Sequence, residues 1–124
     1  MKSIVTWFEI PAVDFDRCVK FYETILDVEM HKSEHGGIKH AFFPHGGEAV
    51  GGAIVQEDYL KPGSEGPLVY LNGGDNLNKV LNKVEPAGGK IVMPRTLIGE
   101  EIGYMAQFFD TEGNRFALYE PAKK

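Results

Sequence analysis

Hydrophobic and polar positions along this chain fall into two successive patterns that match each other. Ile4–Ile10, with Val5-Thr6-Trp7-Phe8-Glu9-Ile10 at its centre, is rich in strand formers and predicts a first strand. Pro11 is expected to stop its pairing, and Asp14 is a good helix N-cap. Phe15, Cys18, Val19, Tyr22 and Leu26 then recur at helical spacing as one apolar stripe. Three strands should follow, around Val28–Lys32, Ile38–Phe43 and Val50–Gln56. The turn formers His35-Gly36-Gly37 and His45-Gly46-Gly47 separate them. Glu57–Pro67 carries two prolines, two glycines and a serine and reads as a linker.

The second half repeats the plan. Leu68–Asn72 predicts a strand, Asn76 a cap, and Leu77, Val80, Leu81 and Val84 a helix ended by Gly88-Gly89. Strands near Lys90–Met93, Tyr104–Phe109 and Arg115–Tyr119 complete it, the last two joined by the turn Asp110–Asn114. The repeat is visible residue by residue: DFDRCVKFYE at 14–23 corresponds to NLNKVLNKVE at 76–85, an offset of 62. The strands match better at 61, and an extra glycine in Asn72-Gly73-Gly74-Asp75 takes up the difference. Two copies of one unit, neither able to bury its apolar face alone, imply one domain over residues 1–124. Module one spans about 1–56, the linker about 57–67 and module two about 68–121.

Strand alternation fixes which side chains face the helices. Phe8 and Ile10, with Val69 and Leu71 in the second copy, must close the core. Trp7, Glu9, Leu68, Tyr70 and Asn72 then point the other way, into a concavity. The fold class is α+β, with helices on one face of the sheet and the concave face open.

Composition narrows the partners. A net charge of −5 leaves no basic face for a nucleic-acid backbone. No apolar run approaches the roughly 20 residues a membrane-spanning helix needs, and the start MKSIVTWFEIPAVD does not read as a signal peptide. A single cysteine makes no intrachain disulfide, which fits a reducing cytoplasm. Cys18 lies on the helical stripe and reads as a small buried hydrophobe, not a nucleophile.

The segments WFEIPAVDFDRCVKFYETIL at 7–26, GGAIV at 51–55, GPLVYLN at 66–72, AGGKIV at 87–92 and DTEGNRFALYEP at 110–121 resemble the vicinal oxygen chelate superfamily. This is the glyoxalase, bleomycin-resistance and ring-cleaving dioxygenase group. Within it, the chain is most similar to small proteins related to lactoylglutathione lyase. The resemblance implies two tandem β-α-β-β-β modules forming a curled, mostly antiparallel sheet around an open cleft. It also implies homodimers, often with clefts completed by the partner subunit. In metal-dependent members four side chains hold a divalent ion, from the opening strand and a later strand of each module. The corresponding positions here are Trp7, Leu68, Ala117 and a residue within Gly51–Ile54. None offers an imidazole, carboxylate or amide, so the expectation is no metal at the usual site and no cofactor.

What remains is a small-molecule site. Glu9 should either share the cleft between apolar walls, where a carboxylate suits a general base or a ligand anchor, or sit at the cleft mouth, solvated or paired with a surface lysine. Trp7, Leu68, Tyr70, Met105 and Tyr119 form the expected apolar and aromatic lining; His40, Asn72, Gln107 and Arg115 are the polar contributors. His31, His35, His40 and His45 lie within fifteen residues, but their spacing matches no structural zinc pattern and three adjoin predicted turns. Of the four, His40 is the one expected to reach the cleft.

Three functions fit these residues. One is a metal-free small-molecule binding protein. Another is a lyase, isomerase or hydrolase on a small carbonyl or thiol-conjugated metabolite, with Glu9 as base. The third is a metal-dependent glyoxalase-like enzyme using unexpected ligands such as Glu9, His40 or Gln56.

Overall fold

The structure is a computed structural model that describes residues 3–47 and 49–123. Met1 and Lys2, part of the start read above, lie outside the described residues, as do Glu48 and Lys124. The first module runs β1 (Trp7–Pro11), α1 (Phe15–Leu26), β2 (His31–His35), β3 (Ile38–Phe42) and β4 (Gly51–Gln56). The second runs β5 (Val69–Asn72), α2 (Asn78–Val84), β6 (Lys90–Gly99), β7 (Gly103–Phe109) and β8 (Arg115–Pro121). Each module forms its own four-stranded sheet, in the orders β1-β4-β3-β2 and β5-β8-β7-β6. In both, the opening strand pairs in parallel with the closing strand and the other pairs are antiparallel. The tandem modules of the sequence reading are therefore present, as two separate mixed sheets.

One core, built around the two helices, is filled from both sheets. Asp14 caps α1 by accepting from the Arg17 N–H at 3.1 Å, and Asp27 ends it in the left-handed conformation. The predicted stripe is buried except for the partly buried Leu26, and Phe21 and Ile25 join it, because both flanks of α1 are covered. Phe21 packs against Phe108 of β7, and Tyr22 meets Phe116 of β8 edge-on. Module one is thus sealed by residues of module two.

The polar turn between β7 and β8 fastens the two modules. The buried Asp110 accepts from the Tyr22 hydroxyl at 2.7 Å, the Asn114 side chain at 3.0 Å and the Asn114 and Glu112 N–H groups. Glu112 reaches the start of α1, accepting from the Val13 and Asp14 N–H groups at 2.9 and 2.7 Å and from Arg17 at 2.8 Å. Across the core, Glu120 is fully buried, paired with Arg95 through two hydrogen bonds of 3.0 and 2.7 Å. The same carboxylate accepts from the Leu77 N–H at 2.9 Å and so starts α2.

Several expectations are corrected. Pro11 does not stop pairing; it stays in β1 opposite Val55, because β1 is an edge strand and needs no donor outward. The strand expected at Val28–Lys32 begins at His31, since Met30 turns into the core instead. Asn76 does not cap α2, which starts at Asn78; its side chain accepts from the Asn78 N–H in a local turn, and Glu120 supplies the acceptor at the helix start. Leu68 precedes β5 instead of opening it, and β6 runs on to Gly99 through Pro94, with irregular register on its paired side.

Candidate functional site

Each sheet has one face packed on the helices and one turned away from them. In the first sheet Ile10, Ala41 and Ile54 lie in the core. The register then places Trp7 and Glu9 with Ala53, His40 and Phe42 on the open face. In the second sheet Leu71, Ala106, Phe108, Phe116 and Leu118 face the core. Tyr70, Asn72, Met105, Gln107, Arg115, Ala117 and Tyr119 share the open face. The expected alternation holds in both sheets, and Leu68 sits half-buried at the entrance to β5.

The first open face is a row of rings. Trp7 lies 6.0 Å from Phe42, His40 stacks on Phe42 at 5.6 Å and 7°, and His31 stacks on it at 6.4 Å. His35 meets His40 edge-on at 5.6 Å, and His45 meets Trp7. His31 and His35 thus reach the same face as His40, because β2 runs on to His35 and pairs residues 31, 33 and 35 with Phe42, His40 and Ile38. Sequence reasoning missed them for that reason. It also missed Phe42, although Phe42 alternates with His40 and is the hub of the row. Among the described residues, no group of three or more His, Cys, Asp or Glu side chains is placed to hold a metal ion.

Close approach of the backbone lets the rings lie flat. A Cβ on Gly51 would stand 2.8 Å from the Trp7 ring and 2.7 Å from His45 Nε2, and one on Gly52 would overlap the Phe8 ring. Two adjacent glycines therefore seat an aromatic on each face of β4. Glu9 is exposed, with the Trp7 indole N–H 3.4 Å from its Oε2. Tyr70, expected to flank it together with Trp7, belongs to the other sheet.

The second open face carries the polar contributors. Arg115 donates to Gln107 Oε1 at 3.1 Å, and its guanidinium lies 5.1 Å from the Phe109 ring. The Tyr70 hydroxyl is 3.9 Å from the Met105 sulfur. Tyr119 donates to the Ile102 carbonyl. Asn72 is spent locally, accepting from the Gly74 N–H at 2.8 Å. A recess of about 400 Å³ opens beside Tyr70, Asn72 and Tyr119. A larger one of about 610 Å³ lies between the modules on the helix side, lined by residues such as Phe8, Leu26, Phe43, Leu71 and Val80.

The register also narrows the range Gly51–Ile54 to one counterpart of Ala117. Glu9 faces Ala53 as Tyr70 faces Ala117, so Ala53 is the counterpart of Ala117. At the positions the resemblance implies, Trp7, Ala53, Leu68 and Ala117 carry no imidazole, carboxylate or amide side chain, a set that does not suit a divalent ion. The Cys18 thiol is no substitute nucleophile: it is fully buried, and burial pushes its ionisation up.

No helix among the described residues is long and apolar enough to cross a membrane. The curated relative found is a glyoxylase-like domain-containing protein of Didymella fabae, 27% identical over 92% of this chain and 91% of its own length. Among solved structures, glyoxalase I of Zea mays superposes with a TM-score of 0.74 at 17% identity, over 97% of this chain and 45% of the maize chain. The fosfomycin resistance protein FosX of Listeria monocytogenes superposes with a TM-score of 0.70 at 17% identity, over 100% of this chain and 95% of its own. At such identities the likeness is one of fold. The family model of the Glyoxalase/Bleomycin resistance protein/Dioxygenase superfamily matches residues 4–118, and the chain belongs to that superfamily.

Proposed function

We propose that this protein binds a small molecule in a cleft bounded by the open faces of its sheets, without a divalent ion at the superfamily's usual position. One observation carries the reading. Exposed aromatic rings, Trp7 at 41% and Tyr70 at 48% of full exposure, stand beside Glu9, His40, Gln107 and Arg115 on faces whose metal positions hold Trp7, Ala53, Leu68 and Ala117. Apolar surface with a few convergent polar groups is the usual make-up of a small-molecule site.

The working unit in this reading is a homodimer in a reducing cytoplasm. The sheets end in β1 and β5, each with one unpaired backbone edge beside an exposed ring. A second copy brings matching edges, and closing the cleft would cover Trp7 and Tyr70. The enzymatic alternative, a lyase, isomerase or hydrolase with Glu9 as base, is favoured by one contact: the Trp7 indole orients the Glu9 carboxylate on the open face.

Native mass spectrometry of untagged protein, with elemental analysis and light scattering, tests this function. The expected result is a dimer carrying a small organic ligand and far less than one equivalent of zinc, nickel, manganese or iron. One equivalent of such an ion, whose removal by chelator lowers thermal stability, would overturn the metal-free reading. A monomer at micromolar concentration would overturn the dimer.

A further inference from the structure

We propose that Arg115 anchors an oxyanion, a carboxylate, phosphonate or phosphate group carried by an otherwise apolar small molecule, on the open face of the second sheet. This rests on the ligand-binding function above and names the chemical class of the ligand.

The three arginines of the chain are not used alike. Arg17 is matched to Glu112 at 2.8 Å, and Arg95 to Glu120 at 2.7 Å. Arg115 has no carboxylate partner among the described residues. It is half-buried, and its Nε is fully buried without a hydrogen-bond partner. Gln107 takes one of the five N–H donors of the guanidinium, and a neutral amide oxygen cannot balance its charge. The Phe109 ring supports the plane but accepts no hydrogen bond in the fork. A partly desolvated guanidinium with donors unspent is costly unless something negative answers it.

The surroundings sharpen the point. In register, Arg115, Phe109 and Lys90 form one cross-strand row on the open face. The next rows are Ala117, Gln107 and Met93, then Tyr119, Met105 and Thr96. None of these positions is acidic, in a chain with 18 carboxylates against 13 lysines and arginines. Glu120, the carboxylate on β8, is fully buried and already bound to Arg95. The second open face is therefore cationic on an acidic protein. Its remaining surface, Met105 with Tyr70 and Phe109, is apolar or aromatic and suits the body of the ligand. A planar fork with one corner pinned by Gln107 favours an oxyanion over a single-point acceptor.

The experiment compares three probes with one body: 4-phenylbutyrate, 4-phenylbutylphosphonate and the neutral 4-phenylbutyramide. Binding to wild type, Arg115→Lys and Arg115→Met is measured by calorimetry, with melting curves as a check on folding. Both anions should bind wild type at least tenfold more tightly than the amide, and added salt should narrow the gap. Arg115→Met should erase the preference while keeping amide binding, and Arg115→Lys should retain part of it. The order of the two anions then identifies which oxyanion geometry the fork prefers. If the amide binds wild type as well as the anions do, or the preference survives Arg115→Met, the Arg115 assignment is wrong while the ligand site stands. If none of the three binds wild type, both the assignment and the ligand site fail. Should Arg115→Met not fold, the wild-type preference, its salt dependence and Arg115→Lys decide the matter.

Discussion

The side-chain amide of Asn114 donates to the Pro11 carbonyl at 2.9 Å, joining residues 103 positions apart. The same side chain accepts from the Gly63 N–H at 3.0 Å and donates to Asp110. One buried amide thus holds the end of β1, the segment between the modules and the β7–β8 turn. Asn114→Ala leaves the Pro11 carbonyl and the Gly63 N–H without their partner. Leaving such groups unsatisfied costs about 1–3 kcal/mol each, so the melting temperature should fall by roughly 10 °C. A calorimetric scan in which the variant melts with wild type would show that solvent replaces these bonds.

Acid should attack the fold through Glu120. Two hydrogen bonds from Arg95, with the Leu77 N–H, hold its carboxyl down to about 2, against the upward push of burial. The folded state keeps this group ionised below the pH at which the unfolded chain protonates it, near 4. Its stabilisation is therefore complete above about pH 4 and drains away as pH falls towards 2. Glu112 has the same sign: burial pushes it up, but Arg17, the Asp14 and Val13 N–H groups and Thr111 bring it below its ordinary value. Asp110 has the opposite sign, because burial raises it more than its donors lower it, so protonation relieves a cost. Urea unfolding followed from pH 6 to pH 2 should show stability falling mainly below pH 4. In Glu120→Gln, less stable at neutral pH, that fall should be shallower, and an unchanged slope would refute the assignment.

Gly51 and Gly52 should respond differently to one added methyl. At Gly52 it overlaps the Phe8 ring beside the core, an overpacking that typically costs about 1–3 kcal/mol. At Gly51 it meets the edges of the Trp7 and His45 rings, on the open face and away from the core. Gly51→Ala should keep most of its stability but shift the fluorescence of Trp7, the single tryptophan, and weaken ligand binding. Equal stability losses in the two variants would count against this division between core face and open face.

Glu9→Gln should leave the melting temperature within about 2 °C of wild type, since exposed positions outside strained features change stability by less than about 0.5 kcal/mol. Binding of co-purified ligand, or turnover if there is any, should change severalfold. A badly destabilised variant with unaltered binding would make Glu9 a structural residue.

Much of this fold is legible in the chain because local and tertiary demands coincide. Phe15, Cys18, Val19 and Tyr22 are spaced for a helix and find a core on that side. Phe8 and Ile10 alternate with Trp7 and Glu9 as the sheet requires. The misses come from features that only neighbours decide. Pro11 and Pro94 both sit within strands, because each strand is a sheet edge, and a sequence does not announce edges. Val28 and Met30 drew the second strand too early, since an apolar residue buried in a loop, as Met30 is, looks like one buried in a strand. Asn76 looked like a cap, yet the start of α2 is satisfied by a carboxylate 43 residues downstream. At the site, the phase of Trp7, Tyr70, Gln107 and Arg115 was readable from alternation. The unspent charge of Arg115 was not, because it depends on which carboxylates Arg17 and Arg95 had already taken.

The packing of Phe21 and Tyr22 against Phe108 and Phe116 has a consequence for how the chain is made. During synthesis the first half emerges with its helix complete and the side of that helix meant for β7 and β8 bare. No tuning of the first half can hasten this, because the matching surface lies more than eighty residues later in the message. A nascent chain stalled before Phe108 should therefore recruit chaperones and yield to proteases, and one released past Phe116 should not.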